Sequence, residues 1–73
     1  MKMEELVIKP FAIITYESHG MEVYRIMRYN VVKQDWELLP GMPYTNRADA
    51  QSEVDELNQE AGNVTITFQY TAL

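Results

Sequence analysis

The hydrophobic period changes at Gly62 from that of a helix to that of a strand, and this change constrains the fold most. The apolar residues before Gly62 recur at the spacing of one helical face, and they are Ala50, Val54, Leu57 and Ala61. Asn46 is a favourable N-cap, Asp49 lies in the first turn, and Gly62 is a favourable C-cap. The pattern therefore predicts a helix over 47–61.

The residues after Gly62 alternate between apolar and polar without interruption over 63–71. One set is Val64, Ile66, Phe68 and Tyr70, and the other is Thr65, Thr67, Gln69 and Thr71. Successive side chains on a strand point to opposite faces, so the alternation predicts a half-buried strand.

The first half of the chain reads as strands that are separated by turn residues. The segments 11–17 and 21–29 are rich in β-branched and aromatic residues, and Gly20 between them can take the positive φ of a hairpin turn. Both faces of 21–29 mix apolar and charged groups, which favours a central strand. We expect a loop at 31–35 and a short third strand at 35–39.

These elements give the order β-β-β-α-β and an α+β fold, namely a small antiparallel-rich sheet of about four strands with one helix packed on one face. The 73 residues, 47% of them hydrophobic, fit a single domain over 1–73. The segment 1–10 is expected to form either an N-terminal arm or an edge strand, because Pro10 interrupts a strand ladder.

The composition argues against several classes of function. With no Cys and one His, the chain lacks the ligands of a typical zinc or copper site, and no calcium-loop pattern occurs, so we expect neither a metal nor a cofactor.

His19 and Ser18 are neighbours at a turn and point in different directions, so they do not form a nucleophile–base pair. No pocket is implied around the carboxylates, and we do not expect an enzyme.

The charge and hydropathy of the chain bear on its partners and its location. A net charge of −5 argues against direct nucleic-acid binding, which normally needs a basic face. No apolar run is long enough to cross a membrane, and the acidic start is unlike a signal peptide. We therefore expect a cytoplasmic protein.

Four carboxylates recur along one face of the predicted helix, and this set is called the acidic stripe: Asp49, Glu53, Glu56 and Glu60. Asp55 adds a flanking charge. Neighbours on such a stripe lie about 5–6 Å apart, which is similar to the phosphate spacing along a nucleic-acid strand. The stripe could occupy a basic, phosphate-binding groove of a partner, or it could be a solvated face that keeps the protein soluble.

One helix covers only one face of the predicted sheet, and this leaves a second candidate surface. The anchors expected on the uncovered face are Tyr24, Arg25, Met27 and Trp36, which belong to residue types enriched at interfaces. Either the N-terminal arm folds over this face, or two copies form a homodimer that stacks through its sheets or joins edge to edge.

The stretch from Tyr24 to Leu57, with Asn58 directly after it, resembles a pattern of short phage and prophage proteins in its segments YRIMRYN, WELL, PG and PYTNRADAQSEVDELN. The pattern is a hairpin that ends in a Trp-acidic-apolar strand, followed by a helix that closes on Leu-Asn. The resemblance implies a phage-related origin and transfers no site residues.

These observations favour a small, non-enzymatic binding protein that inhibits a host macromolecule by occupying its surface through the acidic stripe. Its sharpest form is an anti-CRISPR or anti-restriction protein in the host cytoplasm, whose partner is a host protein or nucleoprotein complex. The alternative is a homodimeric structural or assembly module that uses the uncovered sheet face.

Overall fold

The computed structural model describes residues 2–70; Met1 and the segment 71–73, which includes the predicted strand residue Thr71, lie outside the described part. The elements in chain order are β1 (Lys2–Ile8), β2 (Phe11–Ser18), β3 (Met21–Asn30), β4 (Asp35–Leu38), α1 (Arg47–Ala61) and β5 (Val64–Tyr70). One helix and antiparallel strands confirm the α+β class, and the predicted helix has the observed bounds.

The described strands form two sheets, where the sequence predicted one sheet of about four strands. β2, β3 and β4 form a three-stranded antiparallel sheet with β3 at its centre, as the mixed faces of that segment predicted. β1 pairs with β5 in a separate two-stranded sheet, which is called the ribbon. The N-terminal segment is therefore a strand of the ribbon, and it does not cover the sheet.

The turn between β2 and β3 explains why the hairpin forms at this point. His19 and Gly20 have φ values of 53° and 75°, the two positive values of a type I′ turn, whose twist matches that of the flanking strands. His19 is exposed at this tip. The conformation of the turn therefore explains the position of His19, and this explanation requires no chemical role for its imidazole.

The second hairpin, between β3 and β4, is closed by side chains. Asn30 Oδ1 accepts a hydrogen bond from the Lys33 backbone N–H at 3.0 Å, which stabilises the turn. Tyr29 lies opposite Trp36, and their rings meet edge to face with centroids 5.4 Å apart. Such a pair adds about 0.5–1.5 kcal/mol beyond its area burial.

Both ends of α1 have the predicted caps. Asn46 is extended, and its Oδ1 accepts a hydrogen bond from the Ala48 N–H at 2.8 Å. Gly62 has a φ of 74°, and its N–H donates to the Asn58 carbonyl at 2.9 Å. The helix packs on β2 and β3, and the buried apolar core consists of Val23, Tyr24, Ile26, Ala50 and Val54.

The Asn58 side chain joins the helix to the edge of the sheet. Its Oδ1 accepts from the Phe11 N–H at 2.9 Å, and its Nδ2 donates to the Phe11 carbonyl at 3.0 Å. The amide thus satisfies both backbone groups at the start of β2, as a neighbouring strand would do. We call this pair of bonds the Asn58 clip.

The ribbon extends away from the helix and the three-stranded sheet. Among the described residues, β1 and β5 contact each other and no other helix or strand. The radius of gyration is 15.0 Å, whereas a compact domain of this length would have about 11 Å. The molecule is therefore an elongated body of 46 × 28 × 18 Å.

Candidate functional site

The four residues of the acidic stripe lie along one side of α1, as their spacing predicted. Asp49, Glu56 and Glu60 are exposed, and Glu53 is half-buried. At about 100° per residue they fall within an arc of about 60°, roughly a quarter turn from the apolar residues that face the sheet. With a rise of about 1.5 Å per residue, the stripe is about 16 Å long.

No described salt bridge involves the stripe, although Arg25 of β3 lines the same cleft as Glu53. The described salt bridges both involve Glu37 of β4, with Arg28 at 3.8 Å and Lys33 at 3.0 Å. Arg47 is the one basic residue of α1, and its Cζ lies 5.9 Å from the centroid of the Tyr24 ring. The stripe therefore presents four carboxylates to solvent and to any partner that approaches.

Asp55, which the sequence placed at the flank of the stripe, lies on a different side of the helix. At about 100° per residue it is about 130° around α1 from the centre of the stripe. It accepts a hydrogen bond from Gln51 Nε2 at 2.9 Å and borders a hollow shared with Lys9. A groove that contacts the stripe would therefore not reach Asp55.

A cleft of about 270 Å³ borders the stripe at Glu53, and the sequence did not predict it. The side of the cleft opposite the helix is the loop after β4, which contributes Leu39, Met42 and Tyr44. Met42 is 87% exposed. The Pro and Gly residues here indicated irregular structure, but the loop is held in place because the Tyr44 and Tyr24 backbones exchange hydrogen bonds of 2.8 and 2.9 Å.

The four anchors expected on the uncovered sheet face do not share one face. Arg47 lies over the Tyr24 ring, so Tyr24 points toward the helix, where it is only 9% exposed. Placing Tyr24 on the uncovered face was wrong, because alternation along β3 puts it opposite Arg25 and Met27. Trp36, 37% exposed, lies on the same face as Met27.

Two side chains in this sheet have shifted pKa values. Hydrogen bonds from Lys33 and Asn30 lower the pKa of the Glu37 carboxyl, and the nearby Lys33 and Arg28 charges add to that effect. Burial raises the pKa of the Tyr24 phenol, and Glu22, whose carboxylate accepts its O–H at 3.3 Å, raises it further. Both shifts have structural causes.

Within residues 2–70, no group of three or more His, Asp or Glu side chains is arranged to hold a metal ion. α1, the one helix in that range, is too short and too polar to cross a membrane.

The resemblance to phage proteins and the absence of an enzymatic role stay predictions.

Comparisons of the chain with protein-family models, curated proteins and solved structures find no match.

Proposed function

We propose that the protein is a non-enzymatic binding protein that occupies a basic surface of a host macromolecule with the acidic stripe. The observation that carries the proposal is the set of four carboxylates on one side of α1, none of which belongs to a described salt bridge. Such a row supplies electrostatic complementarity to a groove that binds phosphates. Net charge on this scale also steers a basic partner toward the protein.

The cleft next to Glu53 supports the same role. Charged groups at the rim of an interface contribute specificity and association rate, whereas affinity depends on buried apolar anchors. Met42 is an exposed, adaptable side chain beside the stripe. The stripe and the loop after β4 together form a surface that is acidic along the helix and apolar along the loop, and Arg25 lies in the cleft between them.

The partner that this surface fits is a nucleic-acid-binding protein or nucleoprotein complex in the bacterial cytoplasm. Because the stretch from Tyr24 to Leu57 resembles phage proteins, the most specific version of the proposal is a phage-encoded inhibitor of CRISPR or restriction enzymes. The inhibitor would exclude the nucleic acid from its groove, and it would not bind nucleic acid itself.

Charge reversal on the stripe tests the proposal. Immobilised wild-type protein and the Glu56→Lys/Glu60→Lys variant are compared for capture from a bacterial lysate, and captured nucleases are then assayed for plasmid cleavage in the presence of each protein. The matched control is Glu17→Lys/Asp55→Lys, which changes the net charge equally but off the stripe. Both pairs are exposed, so far-UV circular dichroism should show the fold retained.

We expect the stripe variant to lose inhibition by on the order of tenfold or more, equivalent to about 1.4 kcal/mol, while the control stays near wild type. Added salt should weaken the wild-type interaction as well, because exposed charges are screened. Equal inhibition by the wild type and a folded stripe variant would refute the groove-occupying role.

A second candidate function is a structural or assembly module that uses the sheet face opposite α1. It is favoured by the exposed apolar residues on this face, Tyr16 at 38%, Trp36 at 37% and Leu38 at 49%. Light scattering tests this second function, because a strictly monomeric protein at high concentration would contradict an assembly role through this face.

A further inference from the structure

The ribbon of β1 and β5 is a structural element that lacks the support a two-stranded sheet needs. An isolated pair of strands is marginally stable in water, and independent stability requires three or more strands with an apolar face, or packing against a helix. Within residues 2–70, the ribbon has two strands and touches neither α1 nor the three-stranded sheet. The described part of a single copy therefore does not supply the further strands or the helix that would stabilise the ribbon.

One face of the ribbon is mostly apolar and solvent-exposed, and it also carries Lys2 and Glu4 of β1. Cross-strand partners share a face, so the pairs Leu6 with Ile66 and Ile8 with Val64 lie together. Leu6 is 51% exposed, and Phe68 on the same face is 45% exposed. The face has no helix or strand over it among the described residues.

The two outer edges of the ribbon differ in charge. β1 carries Lys2, Glu4 and Glu5, and charged side chains on an edge strand oppose pairing with another chain. β5 carries no charged residue. In the described part of the chain no strand lies beside the outer edge of β5. Of the two edges, only that of β5 can receive another strand without opposing charges.

The sequence of β5 is complementary to itself in an antiparallel register. If Thr67 lies on a two-fold axis, Ile66 pairs with Phe68 of the other copy, and Thr65 pairs with Gln69. Apolar residues then meet apolar residues, polar residues meet polar residues, and the full strand Val64–Tyr70 is paired.

Pairing the full length of β1 with its own copy is unfavourable because the pair is then centred on its adjacent acidic residues. Centring the pair on Glu5 or on Glu4 places a glutamate opposite its own copy, and the intermediate register places Glu4 opposite Glu5. Like charges directly opposite each other destabilise a sheet. The occupant that the geometry selects is therefore a second copy of this chain at the edge of β5.

We propose that the protein forms a two-fold symmetric dimer in which β5 pairs antiparallel with β5 of a second copy. The product is a continuous four-stranded sheet in the order β1-β5-β5-β1, which provides the number of strands and the widened apolar face that the ribbon alone lacks. Both acidic helices lie outside this interface, because the ribbon does not contact α1.

The absence of Cys allows a cross-linking test of the register. Residues directly opposite each other on antiparallel strands have Cα atoms about 4.5–5.5 Å apart, within the range of a disulfide. Thr67→Cys should therefore yield a disulfide-linked dimer on mild oxidation. In the matched variant Thr65→Cys, the two thiols would be about 14 Å apart and should not cross-link.

The mass in solution is the second measurement. Wild-type protein should sediment at about 17 kDa, which is twice the chain mass of 8.5 kDa. Thr67→Lys, which sets two charges against each other on the axis, should return the mass to 8.5 kDa, and the exposed loop variant Thr45→Lys should not. Equal cross-linking of both cysteine variants, or a monomeric wild type at the highest soluble concentration, would overturn the proposal.

Discussion

Replacement of Asn58 by Ala tests whether the Asn58 clip holds the helix to the sheet. The change removes two hydrogen bonds, of 2.9 and 3.0 Å, to the backbone of Phe11. Each such bond contributes about 0.5–1.5 kcal/mol net, and a partly buried donor or acceptor left without a partner moves the loss toward the upper end. The two bonds together are therefore worth about 1–3 kcal/mol.

Two corrections narrow this range. Ala is a better helix former than Asn by up to about 0.7 kcal/mol, which offsets part of the loss. Phe11 is half-buried, so water can reach part of its backbone once the amide is removed. We expect a net destabilisation of about 1–2 kcal/mol, or a fall in Tm of about 4–16 °C for a domain of this size.

Urea unfolding followed by far-UV circular dichroism and by Trp36 fluorescence measures this loss. The matched control is Gln59→Ala, a neighbouring exposed amide with a smaller gain in helix propensity, which should stay within about 0.5 kcal/mol of wild type. Amide hydrogen exchange at Phe11 should also accelerate in Asn58→Ala. A free energy of unfolding for Asn58→Ala equal to that of the control would refute the clip.

Two further predictions concern the β4 carboxylate and the helix C-cap. Because the pKa of Glu37 is lowered in the folded state, its ionised form stabilises the fold above its usual pKa of 4.5, and this stabilisation is lost as the pH falls through the folded pKa. Glu37→Gln should therefore flatten the acid side of a plot of unfolding free energy against pH and leave little difference below that range. An unchanged plot would contradict the assignment. Gly62 has a φ of 74° and a ψ of −173°, a backbone region open essentially to Gly. Gly62→Ala should therefore lower the free energy of unfolding in urea by about 1–3 kcal/mol, although a Cβ there would meet no atom. An unchanged free energy of unfolding would show that the chain relaxes at this point.

The helix could be predicted from the sequence because its signals are local. Asn46, the apolar spacing and Gly62 act within one stretch of chain, and each has the predicted role in the structure. The His19–Gly20 turn is local in the same sense, since its backbone conformation fixes the hairpin on either side.

The arrangement of the strands into two sheets could not be predicted, because no local sequence pattern indicates which distant segments pair. The alternation over 64–70 fits a strand of any sheet with one apolar face, and it does not say that its partner is Lys2–Ile8. Likewise, the orientation of Tyr24 toward α1 depends on which face of β3 the helix covers, and both faces carry apolar residues.

For the candidate site, the sequence predicted the placement of the acidic stripe because helical geometry alone determines it. The same geometry separates Asp55 from the stripe. The cleft beside Glu53 depends on how the loop after β4 attaches to β3 through Tyr44, which no sequence pattern indicated.

The pairing of β1 with β5 also has a consequence for the order of folding. Ile8 is paired with Val64, so the ribbon closes a long loop of chain, at an entropic cost of about 3–4 kcal/mol from length alone. The two hairpins and the helix between these strands need only shorter closures, so they are expected to form first and bring the ribbon strands together. The ribbon should therefore be the last element to assemble and the first to open, and it can separate without disturbing the buried core.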